Sequence, residues 1–447
     1  MSNSIGEQAV VIGAGLAGLT AAAALSDYFA RVTVLDRDEL PPQAASRSGV
    51  PQGKHLHVLL AGGQQALEEL FPGFDRDLAA AGAVQLDAGF DTRVEQPGYD
   101  PFPQRDFGMS VYAMSRPLLE QVVRGRVQQL RNVSIASHCR ARDIAAAPDG
   151  AASGVRCDST AGGAETLPAD LVVDATGLGA ATTTFLKARG LALPPETSIG
   201  IDMRYTSAVF TLPEAATPGW KGVVTFPDPR IDGRGAVLFP IEGGRWMLAL
   251  AGAHGDAAPA DIDGFMEFAR QLRTPTIYDA ISRGRIEGDI MRFAFPASVR
   301  RHFERLESFP RGLLPIGDAV CRFNPAFGQG MSVAAIEAAI LKRLLSRLAG
   351  TGDVLAQLAT AFFAEIQPVL DTPWGVATAD FVYPQTTGDR PPDFEAGLKF
   401  QAALTSLAAR EPDIHKLLLE VRHLLKPGSA LRDPDVARRV QQEMAAA

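Results

Sequence analysis

Three glycines set between two apolar runs near the N-terminus constrain this chain more than any other feature. Residues 9–38 read AVVIGAGLAGLTAAAALSDYFARVTVLDRD. AVVIG has the length and β-branched content of a buried strand, LAGLTAAAAL the small residues of a close-packing helix, and RVTVL the character of a second buried strand. Gly13, Gly15 and Gly18 form G-x-G-x-x-G at the strand-to-helix turn, and Asp36 ends the second strand. Gly13 permits the tight turn, Gly15 lets a pyrophosphate approach the backbone, and Gly18 lets helix and strand pack closely. Asp36 stands where a carboxylate accepts hydrogen bonds from an adenosine ribose. The glycines alone would be weak; strand, helix, second strand and terminal acid together predict a dinucleotide site, either NAD or FAD. The plainer alternatives are a Gly-rich turn that binds nothing and an Asp36 that is a solvated strand end.

A second stretch repeats the style. Residues 312–340, GLLPIGDAVCRFNPAFGQGMSVAAIEAAI, read as a short strand, a Gly-Asp turn, a Pro/Gly loop and a long Ala-rich helix. The free N–H groups at that helix start favour something electron-rich, a plain helix cap being the alternative. Between the two stretches, ADLVVDATGLGAATTTFL (169–186) is another buried strand leading into a helix. Residues 37–57 read as a long loop, 58–71 as a helix, and Ser115 as a helix cap ahead of Pro117. Short strands are expected near 133–147 and 153–157. From about 200 to 251 the texture turns β-rich, with a hairpin at Glu242-Gly243-Gly244, then helices near 261–271 and 275–283 and a strand at 287–294. A nucleotide-binding unit is thus interrupted by a β-rich insertion and resumed late, whereas a plain NAD dehydrogenase keeps that unit more contiguous. The remainder to 447 reads as helical.

Composition excludes several classes. With 447 residues the chain is long enough for two or three domains, and its 46% apolar and 21% charged content suits a soluble globular protein. A net charge of −8 without a basic block argues against nucleic acid as a main partner. Cys139, Cys157 and Cys321 make no Cys-x-x-Cys pair and no zinc-ligand spacing, so no metal site is expected. The early apolar run carries patterned glycines and no basic n-region, so it fails as a signal peptide, and no run of about 20 apolar residues predicts a membrane span. A cytoplasmic location is expected.

VVIGAGLAGL, ADLVVDATG and GDAVCRFNPAFGQGMSVAAIEA, in this order and spacing, resemble the FAD-dependent monooxygenases of the p-hydroxybenzoate hydroxylase fold over about residues 8–345. GVPQGKHLHVLLAGGQQALEELFPG is similar to a bacterial branch that includes polyether epoxidase-like enzymes. The resemblance implies an α/β fold: a Rossmann-like FAD-binding domain of glutathione reductase type, interrupted by a β-sheet substrate domain and followed by a helical C-terminus. FAD-binding parts are expected at 1–85, 109–195 and 301–350, substrate-domain segments at 86–108 and 196–300, and the helical region at 351–447. It further implies that Gly13, Gly15 and Gly18 hold the pyrophosphate and Asp36, with Arg37 beside it, the adenosine end. Asp318 would bond the ribityl chain, Pro325 and the Gly328-Gln329-Gly330 loop would pass over the isoalloxazine, and the helix near Gly330 would face the flavin N1–C2=O edge. Arg47 and Arg116 match places where the family sets basic or polar groups on FAD, though either could be a surface arginine.

The implied activity is insertion of one O₂-derived oxygen into a hydrophobic substrate, by epoxidation or aromatic hydroxylation, through a flavin C4a-hydroperoxide. Electrons would come from NAD(P)H, directly or through a separate flavin reductase. Direct reduction is put in question by DATG, where Thr176 stands at the position of an Asp that serves FAD and NAD(P)H in many single-component hydroxylases. No catalytic residue announces itself. His55 and His57 could approach flavin or substrate or be structural, His254 is expected to face solvent, and Cys321 has no redox partner. The β-rich block with Phe293 and Phe295 is expected to supply an apolar substrate wall or plain core. A flavin halogenase and an alkene reductase of the geranylgeranyl type are the rival enzymes. Trp220, Trp246 and Trp374 are scattered rather than clustered in a halogenase-like motif, and no halogenation lysine stands out. A non-catalytic flavin-binding module is the rival outside enzymes.

Overall fold

The structure is a computed structural model that describes residues 4–159 and 163–446. Its first layer is a five-stranded parallel sheet, ordered Leu313–Pro315, Leu171–Asp174, Gly6–Ile12, Phe29–Leu35, Val133–Ala136. Parallel strands covered on both faces need continuous apolar runs, and Val10, Val11, Val172 and Val173 are fully buried. Helix Leu16–Leu25 is buried on nearly every side, because its alanines and Gly18 let neighbours come close. It packs with helices Arg116–Gln128 and Gly330–Leu348 on one face of the sheet. A three-stranded antiparallel sheet, Cys139–Ala146, Ala152–Ser159 and Gly163–Pro168, covers the other face through Ile144 and Val155. The three cysteines are free and buried.

The β-rich block is a seven-stranded sheet ordered Cys321–Arg322, Arg285–Arg301, Glu196–Thr211, Arg245–Ala253, Gly235–Ile241, Gly222–Thr225, Thr92–Glu95. The strand expected at 287–294 runs the full length Arg285–Arg301. Its alternation is hard to read because its pairing with Glu196–Thr211 slips at Gly200/Met203 and again at Ser207/Val209. Helices Ile262–Arg270 and Thr276–Ile281 bury one face of this sheet against Phe210, Phe265 and Phe268. Trp220 and Trp246, scattered in sequence, meet in that core edge to face at 5.8 Å. His254 corrects its expectation: it is half-buried, packed on Tyr383, with Nε2 3.1 Å from Thr386 Oγ1.

The hairpin tip ties the two sheets together. The Glu242 carboxylate accepts from Ser115 N at 2.9 Å and Ser115 Oγ at 2.7 Å, while Ser115 caps its helix by accepting from Leu118 N at 3.2 Å. The C-terminal helices Val354–Ala377, Phe394–Arg410, Pro412–Arg422 and Pro434–Ala446 close the far side. They dock on helix Ala61–Leu70, whose first N–H groups are capped by His423: Gly62 N donates to the His423 carbonyl at 2.8 Å and Ala61 N to Nδ1 at 3.3 Å. Among the described residues no helix is long and apolar enough to cross a membrane, and no group of His, Cys, Asp or Glu could hold a metal ion.

Candidate functional site

Two sheets and the C-terminal helices enclose one cavity of about 2030 Å³. Drug-sized ligands occupy sites of roughly 300–1,000 Å³, so there is room for a dinucleotide and a second molecule. Of the residues expected at the cofactor, all but Gly18 line this cavity: Gly13, Gly15, Asp36, Arg37, Arg47, Arg116, Asp318, Pro325, Gly328, Gln329 and Gly330.

At one end the glycines behave differently from each other. Gly13 has φ +106°, and a Cβ there would meet the Ala175 carbonyl oxygen at 2.7 Å. A Cβ on Gly18 would sit 1.8 Å from the Gly13 carbonyl oxygen, so Gly18 serves packing and not the cavity. A Cβ on Gly15 would meet nothing within 4 Å: it would project into the cavity, at the N-cap of a helix that has no side-chain cap. Asp36 accepts from Ala14 N at 2.7 Å, Arg47 at 3.0 Å and Asp38 N at 2.9 Å. A carboxylate offers about four acceptor sites, so three named donors leave one for a ligand hydroxyl.

Arg47 is consumed by the protein. Its guanidinium bonds Glu120 at 2.7 Å, Asp36 at 3.0 Å, Asp38 at 3.2 Å and the Ala14 carbonyl at 3.0 Å, with all four charged side chains 7–8% exposed. Arg47 therefore braces the acids that present the Gly-rich turn. Burial works to lower its pKa, but Glu120, Asp36 and Asp38 outweigh that and raise it. Arg37 is a rim residue, 4.0 Å from Asp38 and mostly exposed. Arg116, at the first position of its helix, stands 3.7 Å from Glu120 and leaves a buried Nε without a partner.

The other end is built mainly from neutral groups, with Asp318 and Asp380 as its acids. Asn324 is fully buried: its Oδ1 accepts from Tyr205 Oη at 2.7 Å and Ala326 N at 3.1 Å, and its Nδ2 donates to Asp380 at 3.0 Å. That fixes the Pro325–Phe327 turn, Gly328 follows at φ +66°, and Gln329 begins helix Gly330–Leu348. This helix too has no side-chain cap, and the buried Gln329 Oε1 has no partner. By contrast Ser115, Asp261 and Asp353 cap their helices. Burial raises the Asp318 pKa, opposed by Arg322, Arg116 and Arg301. Thr176, on the cavity wall, turns inward: its N and Oγ1 donate to Asp174 at 3.1 and 2.7 Å, while Thr182 N and Oγ1 reach the other oxygen of Asp174 at 2.8 Å. The acid of DATG thus holds the turn and caps the following helix.

Beyond this end the wall is apolar, with Tyr205, Val224, Phe239, Phe293 and Phe295 from the seven-stranded sheet. His55 is structural, bonding Ser207 Oγ at 2.8 Å and the Arg292 carbonyl. His57, which lines the cavity, donates from Nδ1 to the His55 carbonyl at 2.9 Å, leaving Nε2 as the acceptor of the ring. Burial, and then Arg116, lowers the His57 pKa to about 3, so the ring is neutral. Sequence reasoning missed the C-terminal wall, where Leu418, Leu419, Arg422 and His423 line the same cavity. The alternating apolar face of DIHKLLLEVRHLL was its only signal.

Two uncapped helix N-termini, an open glycine cradle and unpartnered Gln329 and Arg116 atoms around one cavity fit a dinucleotide carrying a polar ring system. The profile of the family described as FAD binding domain matches residues 7–357. The chain belongs to that family. Membership makes it a flavoprotein oxidoreductase with FAD as cofactor. It is 36% identical over 377 residues to Protein Rv3254 of Mycobacterium tuberculosis, covering 81% of this chain and 78% of that one. Among solved structures, the flavin-dependent brominase Bmp2 superposes with TM-score 0.67 at 15% identity, covering 99% of both chains. The p-nitrophenol 4-monooxygenase PnpA of Pseudomonas putida superposes with TM-score 0.63 at 17% identity, over 94% of this chain and 98% of that one. These likenesses establish the shared fold.

Proposed function

We propose that this flavoprotein is a monooxygenase that inserts one oxygen atom of O₂ into a hydrophobic substrate, the second atom leaving as water. The observation that carries the reading is the uncapped N-terminus of helix Gly330–Leu348. It lines one cavity together with Asp318 and a wall of Tyr205, Phe293 and Phe295. In this reading the uncapped amides and the buried Gln329 Oε1 receive the polar edge of the flavin ring. Asp318 bonds the ribityl chain, Gly13 and Gly15 hold the pyrophosphate, and Asp36, braced by Arg47, receives the ribose. FAD, when bound, supplies the electron transfer and the activation of O₂. The chain's own groups orient the substrate and exclude water from the apolar half.

The presence of a monooxygenase among the structures of this fold supports the reading. A brominase is there too, but no lysine lines the cavity among its described residues, which favours oxygen insertion over halogenation. Alkene epoxidation is favoured over phenol hydroxylation, because burial and Arg116 lower the pKa of His57 on the cavity wall to about 3, which makes it a weak acceptor for a phenol proton. Thr176 is engaged with Asp174, which favours electrons arriving through a separate flavin reductase over direct use of NAD(P)H.

The test is to load the protein with FAD and mix it anaerobically with NADH and with NADPH, following the flavin absorbance. O₂ is then admitted with aromatic or polyene substrates, with and without an added flavin reductase. Bleaching only with the reductase, followed by oxygenated product, is the expected result. Alkene saturation without oxygen incorporation would replace the proposal with the reductase reading. Failure to retain FAD would end it.

A further inference from the structure

Arg422, the last residue of helix Pro412–Arg422, lines the cavity on the wall contributed by the C-terminal helices. The other buried or half-buried arginines on the wall each have a charged or aromatic partner in the protein. Arg47 has three carboxylates, Arg116 stands 3.7 Å from Glu120 with only its Nε unpartnered, and Arg322 lies over the Phe295 ring at 4.6 Å. Arg422 is half-buried and forms no ion pair and no hydrogen bond among the described residues, and burial lowers its pKa. One turn before it on the same helix, Leu419 belongs to an apolar cluster with Leu86, Val111 and Phe239 that lines the same cavity, and His415 and His423 lie within reach of the Arg422 charge. A half-buried guanidinium on a cavity wall with no counter-charge is free to pair with an anion that a ligand brings.

Its location separates it from the pyrophosphate cradle. The neighbouring His423 caps Ala61 and Gly62, and Leu60 N in turn donates to Ser332 Oγ at 2.9 Å, in the first turn of helix Gly330–Leu348. Arg422 therefore stands on the flavin side of the cavity, next to the apolar wall, and away from the Asp36–Arg47–Glu120 cluster.

We propose that Arg422 is a substrate-anchoring residue that binds a carboxylate on an otherwise hydrophobic substrate, through the planar fork of its guanidinium. This rests on the monooxygenase reading and narrows its substrate class to apolar acids. The fork matches a carboxylate bidentately, which a lysine could not.

The test uses FAD-loaded protein and matched pairs of probes: 4-phenylbutanoate with its methyl ester, and 2-naphthylacetate with its primary amide. Binding is read as perturbation of the flavin absorbance spectrum. The wild type is expected to bind each acid at least about tenfold more tightly than its neutral partner. Arg422→Gln should weaken the acids on the order of tenfold to a hundredfold and leave the neutral partners unchanged, with Arg422→Lys between. Equal binding of acids and neutral partners by the wild type, no binding of the acids, or equal losses for both in Arg422→Gln would overturn the proposal. Thermal shifts with the same probe pairs on cofactor-free protein read the Arg422 preference even if FAD is not retained. Failure of the anchor and failure of the monooxygenase reading are thereby distinguishable.

Discussion

The two ends of the cavity solve one problem in opposite ways. Each presents the N-terminus of a helix with no side-chain cap, Gly15 at one end and Gln329 at the other. Around Gly15 stand four interlocked charges, Asp36, Asp38, Glu120 and Arg47, all nearly excluded from water. Around Gln329 stand neutral amides and hydroxyls, Asn324 and Tyr205, with Asp318 and Asp380 the nearby acids. A fixed charge cluster suits a ligand portion whose charge never changes. Oriented dipoles suit a ring whose charge appears only on reduction, since they favour the anion without demanding it. Geometry at the first end is rigid because each charge is trapped by the others. At the second it is set by hydrogen bonds to Asn324 that reach into the C-terminal region.

The comparison breaks most visibly at Arg47. Arg47→Ala removes the cation shared by three buried carboxylates, of which only Glu120 keeps other arginines, Arg116 and Arg124 at 3.7 Å, and urea denaturation should show a loss of about 3–5 kcal/mol. A change under about 1 kcal/mol would mean that the cluster is hydrated and not rigid. Asp318→Ala should do the reverse, weakening FAD binding roughly tenfold to a hundredfold by flavin fluorescence titration while the cofactor-free fold loses little. Gly15→Val should follow Asp318→Ala, because its side chain would enter the cavity and not the packed turn. If Gly15→Val instead unfolds the protein, the cradle is a structural turn.

Acid should act on the second end first. Burial lowers the pKa of His55 to about 4, and that of His57 to about 3 with help from Arg116. Burial and then Arg422 lower that of His423 to about 4. Folded values below the ordinary 6.5 mean that the stability is fully present above pH 6.5 and is lost as pH falls toward 4. Each ring costs on the order of 1 kcal/mol by pH 5.5. Thermal unfolding between pH 7.5 and 5 should show this, and His57→Gln should flatten the slope. Thr176→Ala should have the smallest effect, about 0.5–1.5 kcal/mol from one lost bond to Asp174, with the rate of FAD reduction by added reductase unchanged.

The first end was legible in the sequence because everything that shapes it is local. A tight turn, a close approach and a strand-terminal acid fall within residues 9–38, and each residue type has one mechanical use there. What escaped is what pairs across long separations. Arg47 meets Glu120, 73 positions away, and no periodicity announces it. The Arg285–Arg301 strand hid its ends behind two register slips. The C-terminal helices showed an apolar face in sequence, but an amphipathic pattern does not say what the face covers. That it covers one wall of a cavity begun by Gly13 needed the fold.

His423 capping helix Ala61–Leu70 spans 362 positions. On a ribosome adding roughly 5–20 residues per second, the first amides of that helix wait on the order of 20–70 s for their acceptor. The parallel strand Leu313–Pro315 and the Gly330 helix also arrive late, so the Gly13–Gly15 turn is made early and the walls from helix Gly330–Leu348 and the C-terminal helices are made late. Cofactor loading therefore awaits residue 423, and truncation before it should leave a protein that is folded around its first glycines yet slow to keep its flavin.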